Sequence, residues 1–582
     1  MPLVDARALQ DKRLVSHISE KERDLFPTHD QIGNLSGSRP LKELQVTVCL
    51  LLVELCEKFT FFGIVCNVIL FCTVKLDYRN YQAAMVNLCF VGACMVTPVL
   101  MGWLAECLVG RIKLMYICML LHFIGTALLP IVAFPFEDFY SEKLYARHLA
   151  KKEQKILFYV GLSATSLGSG GIRAIVCPFS AYNLEGHRPK ELLSFFNRFY
   201  WLVNLSSAIV FLIISYIQQS VVKTLGFVVP FVSVLMALVT VHMARSEMIY
   251  LPQKGNSLLT AFGVFADALK IRCMKCRYIS ENVTNWLDHA KENYGGEHSE
   301  TQVESIKALL RLFPLFASQI LYRVCVMQMT SGYYLQTMNS NLNLNGFLFP
   351  IAAMNVISIL PFLILVPVLE CLNGCFFNAK TSGWFPTAYI VLGYVSAALA
   401  VMAAGFFEVH RKHFPTVEQT LSGKILLVSS MPCLHLAPQY VLLGVAEALV
   451  TPTCSLITFK FVPGGIRGIA MQVLTFFSGA GCFVGAFLVQ ATYIWSQGDW
   501  FPNILNEGKL ERFYFFLASL MMISTLGFWI VLHRYNNLRQ DYNEGFRGNL
   551  LQERLLQDEK SLKFYGSILE CPALLSPVET VL

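Results

Sequence analysis

The apolar residues of this chain are gathered into runs of about 20 or more, separated by short polar stretches, and few folds accept that grouping. A run of that length crosses a bilayer as a helix, which satisfies its own backbone hydrogen bonds. Of 582 residues, 55% are hydrophobic and only 15% are charged, and the mean hydropathy is +0.52. A soluble chain of this size would divide into several cores and carry more charge. The expectation is an all-α membrane protein with twelve spans, near 46–74, 82–105, 112–134, 156–179, 197–219, 223–244, 309–337, 347–370, 384–408, 432–461, 467–496 and 512–533. A hydrophilic stretch divides them six and six. This gives a tail (1–45), a six-helix bundle (46–244), a linker (245–308), a second bundle (309–533) and a C-terminal tail (534–582).

Basic residues crowd the N-terminal tail, the turn at Arg111 and Lys113, the linker (Arg245, Lys270, Arg272, Lys275, Arg277) and the segment after the last span. The positive-inside rule places these segments, and both termini, in the cytoplasm. The 136–155 loop, with Lys143, Arg147, Lys151, Lys152 and Lys155, runs against that assignment. Residues 1–45 lack the apolar core of a cleavable signal. A plasma-membrane or endolysosomal location is expected. The net charge of +7 is scattered over loops, which argues against nucleic acid as a partner.

Within the first run stand three ionisable residues, Glu54, Glu57 and Lys58. Their i, i+3, i+4 spacing puts them on one helical face. A charge inside a membrane helix is costly unless it meets a partner or a water-filled cavity, so that face points to a proton or solute pathway. The plainer alternative is an ion pair that only holds helices together. Most of the 18 cysteines fall in apolar runs, where they behave as small buried side chains, and Cys273–Cys276 stands alone. No metal site, nucleophile–base constellation or pore filter is legible, so neither an enzyme nor a channel is expected. The turn after span 2 reads E-C-L-V-G (Glu106–Gly110), and the turn after span 8 reads E-C-L-N-G (Glu370–Gly374). Matching turns at matching places are what duplicated transporter halves show.

Several strings then coincide in order. Span 1 reads E-L-C-E-K-F-T-F-F-G (Glu54–Gly63), followed by G-W-L-A-E-C-L-V-G-R-I-K (Gly102–Lys113), G-S-G-G-I-R (Gly168–Arg173) and F-Y-W-L-V-N-L-S-S (Phe199–Ser207). The second half adds W-L-D-H-A-K (Trp286–Lys291), V-E-S-I-K (Val303–Lys307) and P-Q-Y-V-L-L-G-V-A-E (Pro438–Glu447). Over about residues 46–540 the chain resembles the proton-dependent oligopeptide transporter family, and within it the solute carrier 15 branch. The resemblance implies the twelve-helix major facilitator fold and alternating-access symport of di- and tripeptides with protons, without a cofactor. It implies proton coupling at Glu54, Glu57 and Lys58, and substrate contacts from Arg173, Asn204, Phe62 and Glu447, to which this chain's own span 7 adds Tyr322 and Arg323 as candidates. It also implies a gate motif at Gly102, Glu106, Gly110 and Arg111, where Glu106 replaces the usual Asp.

The chain departs from that pattern where a peptide ammonium would bind. Family acids fall on Met327 in span 7 and Leu456 in span 10, and the span 1 tyrosines are Phe61 and Phe62. Arg173 stands for the family's Lys and Lys58 for its Arg, an exchange between a planar fork and a compact charge. Arg323 is an added cation. It either neutralises Glu57 or Glu447 or makes the cavity more cationic, favouring a solute with an unmatched carboxylate over free peptides. His122 and His435 stay outside the expected mechanism. The second reading is a transport-impaired member acting as a membrane sensor or scaffold. Ser257–Cys276 has the spacing of an interfacial amphipathic helix. Glu570–Leu575 resembles an acidic dileucine sorting signal, and Thr580–Leu582 resembles a PDZ ligand.

Overall fold

The computed structural model describes residues 29–133, 151–183, 201–217, 225–243, 257–274, 286–292, 296–376, 385–421, 424–463 and 466–531. It has two compact units, 1–522 and 523–582, the second described only over 523–531. The N-terminal 28 residues and the C-terminal sorting and PDZ-like strings lie outside the described residues.

Each expected span has its helix. They are His29–Val74, Asn80–Leu104, Arg111–Ala133, Lys151–Asn183, Trp201–Ile213 and Leu225–Met243 in the first six. The second six are Phe313–Met338 in two pieces, Met354–Phe376, Phe385–Lys412, Ala437–Phe461, Arg467–Trp495 and Leu510–Val531. Nine helices among the described residues are long and apolar enough to cross a membrane. The first begins at His29, well before the apolar run, so the polar segment ahead of span 1 is in part helical.

Small residues set the closest helix approaches. In span 4, a Cβ at Gly168 would lie 2.5 Å from the His122 side chain, and one at Gly170 would lie 2.4 Å from Thr97. Spans 2 and 11 meet at Gly92 and Gly479 in the same way, with backbone oxygen 3.1–3.2 Å from each hypothetical Cβ. Spans 8 and 10 approach still more closely: a Cβ at Gly444 would fall 2.0 Å from the Ser358 carbonyl oxygen.

Three features differ from a plain helical bundle. Span 7 is broken: Phe313–Val326 tightens into a 3₁₀ turn at Met327–Thr330, passes through Ser331 at φ −135° and ψ −88°, and resumes as Gly332–Met338. The backbone groups released there are taken up locally, with Ser331 Oγ donating to Met327 O at 2.8 Å and Asn87 Nδ2 donating to Thr330 O at 2.6 Å. Between spans 9 and 10 the chain forms an antiparallel hairpin, Thr416–Leu421 with Lys424–Ser429, in the register Thr416↔Ser429. Finally, the linker helix Ser257–Met274 packs into a small core in which Val264 and Ala268 join Leu287, Ala290, Val303 and Ile306. Part of the face expected at the membrane surface is therefore used against protein.

That linker core is locked by charge. Asp288 accepts from Lys307 at 2.5 Å and pairs with Lys291 at 3.0 Å, while Lys291 also reaches Glu300 and Glu304. Burial alone would raise the Asp288 carboxyl, but the two ammonium groups outweigh it and hold it below the usual carboxylate range.

Beyond the 74–80 turn, one end of the bundle is tied across its two groups of six. Arg79 Nη1 donates to Tyr493 Oη at 2.8 Å, Asn80 Nδ2 to the carbonyls of Pro502 and Asn503 at 3.1 and 2.9 Å, and Tyr334 Oη to Cys66 O at 3.2 Å.

Two outcomes follow. Gly444→Ala forces spans 8 and 10 apart and costs about 1–3 kcal/mol or more, whereas Gly485→Ala, whose Cβ would sit 3.8 Å or more from its neighbours, is tolerated; thermal unfolding of purified protein in detergent compares them. For the linker, a folded-state pKa below the unfolded one means that the Asp288 contribution is complete above about pH 4 and fades as pH falls further. Hydrogen exchange over 286–311, corrected for intrinsic rates, should therefore accelerate only under strong acid, and Asp288→Asn should accelerate it already at neutral pH.

Candidate functional site

Span 1 carries Glu54, Glu57 and Lys58 on one face, as their spacing requires, and span 4 brings Arg173 to meet them. Arg173 donates to a single Glu57 oxygen, Oε1, through Nε at 3.0 Å and Nη2 at 2.8 Å. Ser169, one turn earlier on span 4, donates its hydroxyl to the same oxygen. Lys58 Nζ lies 3.4 Å from the other Glu57 oxygen and 3.2 Å from Glu54 Oε1. Glu57 is 2% exposed and Glu54 6%, so both carboxylates depend on protein cations rather than on bulk water. The Arg173 guanidinium also lies over the Phe61 ring, 4.6 Å from its centroid.

Helix packing explains why the cluster holds its shape. Thr60 donates to Cys56 O at 2.9 Å and to Pro230 O at 3.2 Å, and Ser233 donates to Cys56 O at 3.0 Å, pinning span 1 to span 6. Gly168 and Gly171 let span 4 lie against span 3 closely enough for Ser169 and Arg173 to reach Glu57. Ser169 was not among the candidates read from sequence, though it stands inside the quoted G-S-G-G-I-R string.

Arg323 and Glu447 meet elsewhere. Arg323 Nη1 is 3.6 Å from Glu447 Oε1, joining spans 7 and 10, so of its two expected partners Arg323 takes Glu447 and not Glu57. Tyr322, beside Arg323 in sequence, packs its ring on Tyr394, with centroids 5.3 Å apart. Phe62 sits edge-on to Phe211 at 5.5 Å and against Phe61 at 5.3 Å, in an aromatic cluster. Asn204 is half-buried on span 5, and its carbonyl accepts from Ser207 Oγ at 2.7 Å. Met327 is buried at the break in span 7, and Leu456 is half-buried.

In the gate motif, Gly102 faces Gln472 of span 11, whose amide nitrogen donates to Ala174 O at 3.2 Å; a Cβ at Gly102 would lie 3.1 Å from Gln472 Oε1. Gly110 joins a π-helical turn to span 3 at φ +83°, a conformation that favours glycine. The side chains of Glu106 and Arg111 lie outside the described residues. His122 is buried, with Nδ1 3.1 Å from Thr165 O, and His435 is exposed beside His410. No group of three or more metal-ligating side chains occurs among the described residues.

A bundle of membrane helices with an acid–base cluster buried between its first and fourth spans belongs to the class of secondary transporters with the major facilitator fold. Residues 113–501 match the family described as the POT family, and the chain belongs to it. It is 54% identical over 567 residues to solute carrier family 15 member 5 of Homo sapiens, covering 97% of each chain. It is 25% identical to protein NRT1/PTR FAMILY 5.11 of Arabidopsis thaliana, over 86% of this chain and 96% of that one. Among solved structures, an auto-inhibited POT family peptide transporter aligns at 19% identity with a TM-score of 0.61, over 84% of this chain and 97% of its own. A POT family transporter in complex with 5-aminolevulinic acid aligns at 15% identity with a TM-score of 0.58, over 83% and 95%. The family consists of transporters, and this chain is not an enzyme.

The geometry makes Glu57 and Arg173 energetically dependent on each other. Glu57→Gln leaves Arg173 short of its anion and destabilises the protein. Adding Arg173→Gln should recover part of that loss, with a coupling of about 1–3 kcal/mol in a double-mutant cycle of thermal unfolding.

Proposed function

We propose that this protein is a proton-coupled symporter of a small organic solute, a di- or tripeptide or another carboxylate-bearing molecule, working by alternating access. The observation that carries this reading is the single Glu57 oxygen shared by Arg173 and Ser169, with Lys58 on the other side. A proton arriving on Glu57 removes the negative charge that holds Arg173. The guanidinium is then free to take a substrate carboxylate through its planar fork. One cation thus serves two anions in turn, and proton and solute are linked through it. Glu54 keeps Lys58 in place while the exchange occurs.

In this reading residues 46–244 and 309–533 are the two moving halves. The ties at the 74–80 and 495–510 turns close the non-cytoplasmic end, and the linker core lies in the cytoplasm. A plasma or endolysosomal membrane suits this arrangement. An exposed cysteine introduced at Glu300 should be inaccessible to an impermeant maleimide in intact cells and react once the plasma membrane is opened. Ile425→Cys on the hairpin should label from the opposite face, and labelling of both from one face would overturn the orientation.

The functional test is uptake into proteoliposomes under an imposed pH gradient, with a panel of dipeptides and small carboxylates. Glu57→Gln should abolish gradient-driven uptake while leaving exchange at equal pH, and Arg173→Ala should weaken both by at least tenfold. Intact gradient-driven uptake in both variants would make the cluster structural. The sensor reading is supported by the apolar Met327 and Leu456 at positions where the resemblance led to the expectation of acids; it would stand if the wild-type protein bound solute but moved none.

A further inference from the structure

Spans 1 and 4 hold the first and fourth places among the first six helices, and spans 7 and 10 hold the same places among the second six. Each of these two pairs of spans is bridged by an acid and an arginine. In the first the acid is on span 1 and the base on span 4; in the second the base, Arg323, is on span 7 and the acid, Glu447, is on span 10. The two ion pairs occupy equivalent places in a duplicated fold with their signs exchanged.

They are not equally satisfied. Arg173 has two hydrogen bonds to one carboxylate oxygen, at 2.8 and 3.0 Å. Arg323 has one contact to Glu447 at 3.6 Å, beyond hydrogen-bonding distance. Among the described residues its hydrogen-bond partners are sulfur atoms, Met95 Sδ at 3.8 Å and the Cys482 thiol, both weak acceptors. Among the described residues its buried Nε has no hydrogen-bond partner, and neither has the buried Tyr322 hydroxyl. A guanidinium with five donors, largely removed from water and offered no close oxygen, is short of acceptors.

The two guanidinium groups are linked through span 2. Arg173 lies on Phe61, which stacks on Phe90 of span 2 at 6.1 Å. Arg323 thus touches span 2 at Met95, and Arg173 reaches the same stretch of span 2 through the Phe61–Phe90 stack.

We propose that Arg323 is a second substrate-anion site and the specificity-determining residue of the second half, so that the solute carried bears two carboxylates, one for Arg173 and one for the unfilled edge of Arg323. Glu447 stays on the Nη1 side and orients the fork. A free ammonium on the solute is not required, because the family acids that would face it are Met327 and Leu456 in this chain. This rests on the symport reading for the role of Arg173, but it is tested by binding alone.

The experiment uses purified full-length protein in detergent at constant pH, with binding read by thermal stabilisation. The probes are glutarate, adipate and pimelate, the monomethyl ester of each, and the zwitterion Ala-Ala. At least one diacid should bind tenfold or more tightly than its monoester and than Ala-Ala. Arg323→Gln should erase that preference by weakening the diacid and leaving the monoester unchanged, and Arg323→Lys should restore part of it. Arg323→Gln combined with Glu447→Gln leaves no unpaired acid and should show the same loss. The proposal is overturned if no diacid exceeds its monoester, if Ala-Ala binds best, or if Arg323→Gln weakens diacid and monoester alike. Failure of proton coupling at Glu57 would show in gradient-driven uptake and leave these binding ratios untouched, so the two readings fail separately.

Discussion

A carboxylate buried among membrane helices must be answered by a cation, and the requirement at Glu57 organises much of this protein. Span 4 is rich in glycine because Ser169 and Arg173 have to come within hydrogen-bond reach of span 1. Spans 1 and 6 are pinned by Thr60 and Ser233 at the level of the cluster. Without these approaches the desolvation of Glu54 and Glu57 would cost several kcal/mol without compensation. The same contacts make the cluster sensitive to one proton, because neutralising Glu57 removes the acceptor on which Arg173 depends.

The second half meets the same constraint less completely. Arg323 and Glu447 are close enough for attraction but too far apart for a hydrogen bond, and sulfur atoms take the place of oxygen partners. The first half thus holds a tight pair and the second a loose one. Span 7, which carries Arg323, is also the helix that unwinds at Met327–Thr330. Its carbonyls at Thr330 and Met327 are taken by Asn87 of span 2 and by its own Ser331, so these two groups are not left bare.

Away from the membrane core, charge works differently. The linker cluster around Asp288 holds a small hydrophobic core against the start of span 7, and its partners reach it from one segment of chain. In this structure the strings Trp286–Lys291 and Val303–Lys307 form a folded connection rather than a loose tether.

Run lengths and periodicity determined the twelve spans, the six-and-six division and the shared face of Glu54, Glu57 and Lys58, because each of these is a property of a single helix. The family was legible in short strings such as Glu54–Gly63 and Pro438–Glu447. The sequence left open whether Arg323 neutralises Glu57 or Glu447, since that depends on which helices lie side by side. Only the packing chose Glu447, and only packing placed Phe62 in an aromatic cluster and Ser169 on the Glu57 oxygen. The break in span 7 was hidden for a related reason: its residues are apolar enough to read as one helix, and the groups that make unwinding affordable, Asn87 above all, come from a distant part of the chain. The hairpin at 416–429 and the folded linker depend likewise on pairings that no local pattern encodes. Local sequence fixes what each helix presents; tertiary structure decides what each presented group meets, because a charge in a membrane takes its meaning from its partner.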